Sequence, residues 1–153
     1  MKKIFILLAI GLFFNTAYAA GADGVISVKS KFAVAHTADR FIGIVKKKGM
    51  KVMAHVKHDK GAKNVGIEIK PTELIVFGNP KIGSPMIACE RSIAIDLPQK
   101  LLVWEDKNGQ VWMSYNDPIY IADRHKLKDE CRGGLTKIAG ALNKLSSKAG
   151  GTE

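Results

Sequence analysis

The sequence lacks most of the features that would assign it to a well-characterised class. It has no run of about 18 or more apolar residues, so no membrane-spanning helix is predicted. No segment recurs with a period of about 20–50 residues, which argues against a repeat array. Phosphate-binding loops, dinucleotide fingerprints and the G-x-S-x-G nucleophile motif are also missing. The 153 residues therefore predict one globular domain without a recognisable catalytic motif.

Aromatic and acidic residues are scarce. Aromatic residues make up 7% of the chain, and 24 Lys and Arg outnumber 14 Asp and Glu. Residues 20–70 hold most of this excess, but Phe32 and Phe41 are their only aromatic residues. A nucleic-acid partner is not predicted, because the basic half offers no stacking platform. The charge predicts at most weak contact of residues 29–70 with an anionic surface, or simply a solvated basic face.

The first 19 residues have the pattern of a secretory signal peptide. Lys2 and Lys3 precede an apolar stretch over residues 4–14, and Ala17-Tyr18-Ala19 resembles a cleavage site. The prediction is cleavage near Ala19 and a periplasmic or secreted protein. An uncleaved anchor or a buried N-terminal strand is the alternative.

Cysteine is limited to Cys89 and Cys131. An even number of cysteines in an exported chain predicts a disulfide, with two buried free thiols as the alternative. Both residues fall on apolar stripes of predicted helices and are expected to face the core. The pair does not form a C-x-x-C motif, so a redox role is not favoured.

The hydrophobic pattern predicts the element order β-α-β-β-α-β-β-α-α. Thr37 is predicted to cap the first helix, which Gly49 ends, and residues 58–64 are expected to form a polar loop. Asp117 and Pro118 predict the start of a later helix that ends near His125. This mixture predicts an α+β fold, a mostly antiparallel sheet with helices packed on it.

Asn108-Gly109 is a strong hairpin signal between strands over 100–105 and 110–115. A two-residue turn there would place Trp104 opposite Met113 and Leu102 opposite Tyr115. The last helix is predicted from Leu127 onward, weakened by two glycines at 133 and 134. The domain is expected to span residues 20–148, followed by a frayed tail over 149–153.

No metal or cofactor site is predicted from the histidines. His55 and His58 have H-x-x-H spacing, but residues three apart on a strand face opposite sides. His58 and His125 end predicted elements, where functional side chains often lie. Asp96 and Asp117 are either a carboxylate pair or, as their neighbouring prolines favour, turn and cap residues.

Several blocks of the sequence resemble the family catalogued as domain of unknown function 302. The blocks are HDKGA (58–62), GIEIKPTEL (66–74), FGNPKIGSPM (77–86), IDLP (95–98), VWED (103–106), VWMSYNDP (111–118) and Arg124-His125. The resemblance covers residues 25–145 and implies a compact α+β domain with no established activity. Lys57 stands where the family usually has an Asp, so any role of that carboxylate is in doubt here.

The polar residues of these family motifs are the candidate site residues. They are His58, Asn79, Asp96, Tyr115, Asn116, Asp117 and His125. Most follow strand ends, and they would line one pocket if those ends converge.

The leading functional prediction is a non-catalytic binding module for a small ligand or an envelope protein. One alternative is an enzyme with His58 or His125 as general base and Asn79 or Asn116 orienting the substrate. Another is a basic structural protein of the envelope, held by its charged face. No cofactor is predicted under any of the three.

Overall fold

The computed structural model describes residues 22–153, so the predicted signal peptide over 1–19 lies outside the described residues. The strands are β1 (Val25–Ser30), β2 (Lys51–Lys57), β3 (Thr72–Gly78), β4 (Gln99–Glu105) and β5 (Val111–Asn116). The helices are α1 (Val34–Lys47), α2 (His58–Asn64), α3 (Pro80–Cys89), α4 (Pro118–Arg124) and α5 (Leu135–Gly150). Two 3₁₀ turns lie at Arg91–Ile95 and Asp129–Cys131.

The five strands form one antiparallel sheet in the order β1-β5-β4-β3-β2. The α+β prediction is therefore confirmed. The predicted element order omits one element, since residues 58–64 form the short helix α2 rather than a loop. None of the seven residues of α2 is buried, so the helix has no apolar stripe from which periodicity could have identified it.

One face of the sheet packs against α1 and α5 and forms the larger apolar cluster, here called the sheet core. Strand residues alternate between the two faces, so every second residue points towards these helices. The fully buried side chains include Phe41 of α1 and Phe77 of β3, whose rings meet edge to face with centroids 5.0 Å apart. Other members are Val45, Ile75, Leu101, Val103 and Met113.

The hairpin of β4 and β5 has a different register from the one predicted. Glu105 pairs with Val111 and the N–H of Asp106 donates to the carbonyl of Gln110 at 2.9 Å, so the loop contains the three residues 107–109. Trp104 therefore lies opposite Trp112 instead of Met113. The Asp106 carboxylate accepts the N–H groups of Asn108 and Gln110 at 2.8 and 3.0 Å, which closes the longer loop. The prediction of a two-residue turn, with Leu102 opposite Tyr115, is wrong by one residue, and such a slip exchanges the faces of a strand.

Helix α1 begins four residues earlier than predicted, because its N-cap is Ala33 rather than Thr37. Thr37 does not cap it but lies fully buried inside it, where its hydroxyl donates to the carbonyl of Ala33 at 3.0 Å. The same hydroxyl lies 2.7 Å from the hydroxyl of Ser30, at the end of β1. The C-terminal end of α1 agrees with the prediction, because Gly49 has a φ of +74° that allows the chain to turn out of the helix.

Two glycines divide the predicted last helix. Gly134 has a φ of +91°, and α5 starts after it, while Leu127 lies in the segment before the 3₁₀ turn. Helix α5 also extends further than expected. Ala149 and Gly150 are buried, and the N–H of Lys31 donates to the Gly150 carbonyl at 2.9 Å. These two residues of the expected frayed tail are therefore packed against the end of β1.

A second apolar cluster, here called the small core, lies beyond the end of the sheet. It consists of Ile93, Ile121, Ala122, Leu127 and Leu135. A disulfide joins Cys89 to Cys131 across 42 residues. A loop of that length corresponds to roughly 4 kcal/mol in the chain-entropy description. Cys131 packs against the small core, but Cys89 is exposed, so the expectation that both cysteines face the core is wrong for Cys89.

Candidate functional site

A cavity of about 970 Å³ lies between the sheet core and the small core. Its walls come from the second half of α1, the end of β3, helix α3, the loop before β4 and one side of α5. Most of the lining side chains are apolar. They include Ile44, Met50, Phe77, Ile82, Met86, Leu97, Ile138 and Leu145. Helix α3 is rich in apolar residues, and none of them is buried, so the helix leaves apolar side chains facing this space.

Lysines form a rim around this apolar space, here called the lysine rim. It consists of Lys47 and Lys48 at the end of α1 and Lys144 and Lys148 on α5. All four side chains are exposed, and none forms an ion pair within the part of the chain that the structure describes. Among the described lining residues, Glu153 is the one that is acidic. The rim therefore gives the cavity a local excess of positive charge.

A chain of hydrogen bonds passes through His125 next to the small core. Its Nε2 lies 2.6 Å from Oδ2 of Asp96, and its Nδ1 lies 2.9 Å from the hydroxyl of Ser92. Both the imidazole and the carboxylate are largely buried, with 9% and 13% of their side-chain surface exposed. Arg124 approaches the same carboxylate oxygen at 3.5 Å. The bonds join the C-terminus of α4 to the 3₁₀ turn before β4.

A second polar cluster lies on the helix-facing side of the sheet. Glu73 has 7% of its side chain exposed, and its carboxylate contacts His55 at 2.6 Å and Lys57 at 3.4 Å. This cluster was not predicted from the sequence. The signal was present, because Glu73 precedes Ile75 and Phe77 at the inward positions of β3, and a buried carboxylate needs partners.

The structure separates the seven predicted site residues into two groups. Lys57 pairs with Glu73 and Lys51 pairs with Gly78, so His58 and Asn79 lie at opposite ends of the sheet. The other six residues lie at the same end as Asn79, and His58 is exposed at the start of α2. The structure therefore does not bring all seven together in one pocket.

The six residues at the shared end have different surroundings. Asn79 lines the cavity, and its side chain also caps α3 by accepting the N–H of Lys81 at 3.0 Å. Asp117 caps α4 by accepting the N–H of Ile119 at 2.9 Å, as its position before proline indicated. Tyr115 is buried in the sheet core and Asn116 ends β5. All seven residues are described, and Asn79 alone among them lines the cavity.

Other chemical features of the described region are limited. Within residues 22–153, no three His, Cys, Asp or Glu side chains are grouped so that they could hold a metal ion. Among the described helices, none is long and apolar enough to cross a membrane. The cavity has the shape of a ligand site, and its walls were not predicted from the sequence.

Comparison with known proteins identifies the family. The profile of the domain of unknown function DUF302 matches residues 26–145, and the chain belongs to this family. A solved structure described as an uncharacterized conserved protein DUF302 from Bacillus stearothermophilus has the same fold, with a TM-score of 0.75 and 16% identity. The alignment covers 84% of this chain and 99% of that one.

Curated relatives include proteins named fluoride-specific ion channel FluC 1 from Brucella suis and Brucella abortus. Each is 44% identical over 105 residues, which is 69% of this chain. The match spans 41% of the first relative and 39% of the second. The chain thus corresponds to about two fifths of these longer proteins.

Proposed function

We propose that this member of the DUF302 family is an exported, non-catalytic binding module whose cavity holds a small apolar ligand. The cavity carries the proposal, because its volume of about 970 Å³ lies at the upper end of the range for small-molecule sites, roughly 300–1,000 Å³. Its walls are mainly apolar, and each buried methylene group of a ligand contributes about 0.8 kcal/mol. A ligand with several buried methylene groups would therefore bind firmly through apolar contacts alone, and binding would need no catalytic residue in the cavity.

Export is supported by two independent features. The N-terminal pattern is that of a secretory signal, and disulfides such as Cys89–Cys131 persist in oxidising compartments. The mass of the protein isolated from an envelope fraction tests this part of the proposal. A mass that begins near Ala20 and includes the disulfide is expected, whereas a full-length chain in the cytoplasm would contradict export.

Binding of a neutral dye tests the cavity directly. N-phenyl-1-naphthylamine fluoresces in apolar surroundings, and we expect saturable binding of one molecule per chain. Ala141 lines the cavity, so Ala141→Trp should fill it and weaken dye binding at least about tenfold. Ala54 is exposed on β2 and does not line the cavity, which makes Ala54→Trp the matched control. Equal binding to both variants, or none to the wild type, would reject the proposal.

One observation favours an enzyme as the second candidate. Ser92, His125 and Asp96 are connected in the order of a Ser-His-Asp triad. In this candidate His125 would act as general base and Ser92 as the nucleophile. A fluorophosphonate probe would label wild-type protein at Ser92 but not a Ser92→Ala variant, and hydrolysis of a p-nitrophenyl ester would show the same difference.

The surroundings of Ser92 favour binding over catalysis. Its backbone N–H donates to the carboxylate of Glu90 at 3.0 Å, so this N–H is not available to an oxyanion. The same N–H lowers the pKa of Glu90 below its ordinary value, and the hydroxyl of Ser92 adds to this effect. The resulting negative charge beside Ser92 opposes the negative charge of a tetrahedral intermediate. His58 is exposed at the far end of the sheet, where it has no part in the cavity.

The third candidate, a basic structural protein, receives less support from the structure. The basic residues of the segment 29–70 are spread over both ends of the sheet, since Lys51 begins β2 and Lys57 ends it. Fluoride conduction is not part of the proposal either, because the named channels share with this chain only about two fifths of their length.

A further inference from the structure

We infer that the ligand is a single-chain amphiphile with an anionic head group, of the fatty-acid type, and that the lysine rim binds its head. This inference rests on the proposed function, because it assumes that the cavity takes up an apolar ligand. It adds the chemical class of that ligand.

Charge complementarity is the first argument. Within the part of the chain that the structure describes, four lysines line one cavity whose remaining walls are mostly apolar, and Glu153 is the one acidic residue among the lining side chains. Among residues 22–153, no carboxylate lies within 4.0 Å of any of these four ammonium groups. A negatively charged head group would therefore meet unneutralised positive charge at the rim while its chain occupies the apolar interior.

The helix dipole explains only part of the lysine rim. Lysines in the last turn of a helix are favourable, which accounts for Lys47 in α1 and Lys148 in α5. Lys144 lies one turn earlier, four residues before Lys148 on the same helix. Like charges at this spacing repel each other, so the pair weakens an isolated helix. Its presence beside the cavity is explained by a ligand that carries the opposite charge.

The walls determine the rest of the ligand. The interior presents Phe77, Leu97 and Leu145 but few polar partners, so a ligand with polar groups along its length would lose hydrogen bonds to water without replacement. Lysine also extends its apolar stem along such a surface while its ammonium group stays in water. The cavity volume is that of a site for a drug-sized molecule, which suits one acyl chain.

Displacement of the neutral dye by decanoate and by decan-1-ol tests this inference, since the two ligands differ only in their head groups. We expect wild-type protein to bind decanoate about tenfold more tightly at low salt, because several exposed charge pairs each add a modest amount. This preference should shrink in 0.5 M sodium chloride, which screens exposed charges.

A pair of charge-matched variants locates the effect. Replacing Lys47, Lys48, Lys144 and Lys148 by Gln should abolish the preference for decanoate and leave decan-1-ol binding unchanged. The control replaces four exposed lysines outside the cavity lining by Gln, and it should keep the preference; these are Lys60, Lys63, Lys107 and Lys128. Both variants lose the same net charge, so a general electrostatic effect would affect them equally.

The outcomes separate this inference from the proposed function. Equal affinity of the wild type for decanoate and decan-1-ol would overturn the inference while leaving the apolar cavity in place. An equal loss of preference in both lysine variants would also overturn it. If the wild type binds neither ligand nor the dye, the proposed function itself fails. If a variant folds poorly, the wild-type preference for decanoate over decan-1-ol can still be compared at low salt and in 0.5 M sodium chloride. A preference that does not shrink in high salt would also overturn the inference.

Discussion

The two apolar clusters of this domain are built in different ways. The sheet core joins five strands to the long helices α1 and α5, and large side chains such as Phe41, Ile75 and Phe77 are fully buried in it. The small core joins a seven-residue helix, two 3₁₀ turns and the start of α5. It is reinforced by a disulfide and by the His125–Asp96 hydrogen bond. Short segments bury little area, so cross-links take over part of the stabilisation.

The difference explains where the cavity lies. Ile138 of α5 packs against both clusters, and α1 and α3 both contribute walls to the cavity. A close-packed protein interior has few voids larger than a water molecule. A cavity of about 970 Å³ between the two cores is far larger than such a void, and its walls include helix α3, which ends at the bridged Cys89, and Leu97, which follows Asp96.

Loss of a large side chain from the sheet core should have the largest effect. Phe41 is fully buried against Phe77, so Phe41→Ala should lower the free energy of unfolding by about 3–5 kcal/mol. Urea unfolding measures the change. The control Val65→Ala, at a residue 72% exposed, should stay within about 0.5 kcal/mol of the wild type. Similar losses in the two variants would contradict the assignment of the sheet core.

Removal of the disulfide should have the next largest effect, and a more local one. A Cys89→Ser, Cys131→Ser variant should lose roughly 2–4 kcal/mol. Hydrogen exchange should speed up most in α4 and in the turn at Asp129–Cys131, and least in β3 and β4, because the small core depends on the bridge. Uniformly faster exchange throughout the sheet would show that the two cores form a single unit.

The His125–Asp96 contact should contribute less than the disulfide. Asp96→Asn removes a charged acceptor from a nearly buried imidazole, and a cost of about 1–3 kcal/mol is expected. A double-mutant cycle with His125→Asn isolates the pair, and a coupling energy of at least about 0.5 kcal/mol is predicted. Dye affinity should fall as well, since Leu97 follows Asp96 and lines the cavity. Additive effects of the two substitutions would argue that the bond does not hold this wall.

The smallest effect is expected at the hairpin, far from both cross-links. The indole N–H of Trp112 donates to Asp106 at 2.9 Å and lowers the pKa of this carboxyl, with the N–H groups of Gln110 and Asn108 adding to the shift. Because the pKa of Asp106 is lower in the folded state than its ordinary value of 3.8, ionised Asp106 stabilises the folded protein at pH values above 3.8. This contribution is lost as the pH falls through the folded-state pKa.

Fluorescence of Trp112 in a Trp104→Phe background measures this titration. We expect a midpoint below 3.8 that disappears in an Asp106→Asn variant. A midpoint at or above 3.8, or a transition that persists in the variant, would contradict the hydrogen-bond assignment.

Local sequence signals predicted much of the fold. The strand positions, the cap at Asp117 and the stop at Gly49 depend on neighbouring residues, and the structure agrees with each. Predictions failed where a side chain made an additional hydrogen bond. Asp106 lengthened the hairpin loop, and Thr37 turned its hydroxyl back to the preceding turn instead of capping.

The candidate site was harder to predict because it depends on contacts between distant segments. Two consecutive antiparallel strands end at opposite ends of the sheet, so His58 after β2 and Asn79 after β3 could not meet. Asp96 and His125 do meet, although 29 residues separate them, and no local pattern indicates such a pair. The cavity arises where two clusters fail to merge, which hydrophobic periodicity does not report.

We expect an acyl chain to lie between the two cores with its head group at the lysine rim. A crystal structure with 10-bromodecanoate tests it, because anomalous scattering from bromine locates the end of the chain. We expect a bromine peak beside Phe77 and Leu142, with the carboxylate near Lys144 and Lys148. A peak on the outer surface of the protein, or an empty cavity at saturating ligand, would contradict this mode of binding.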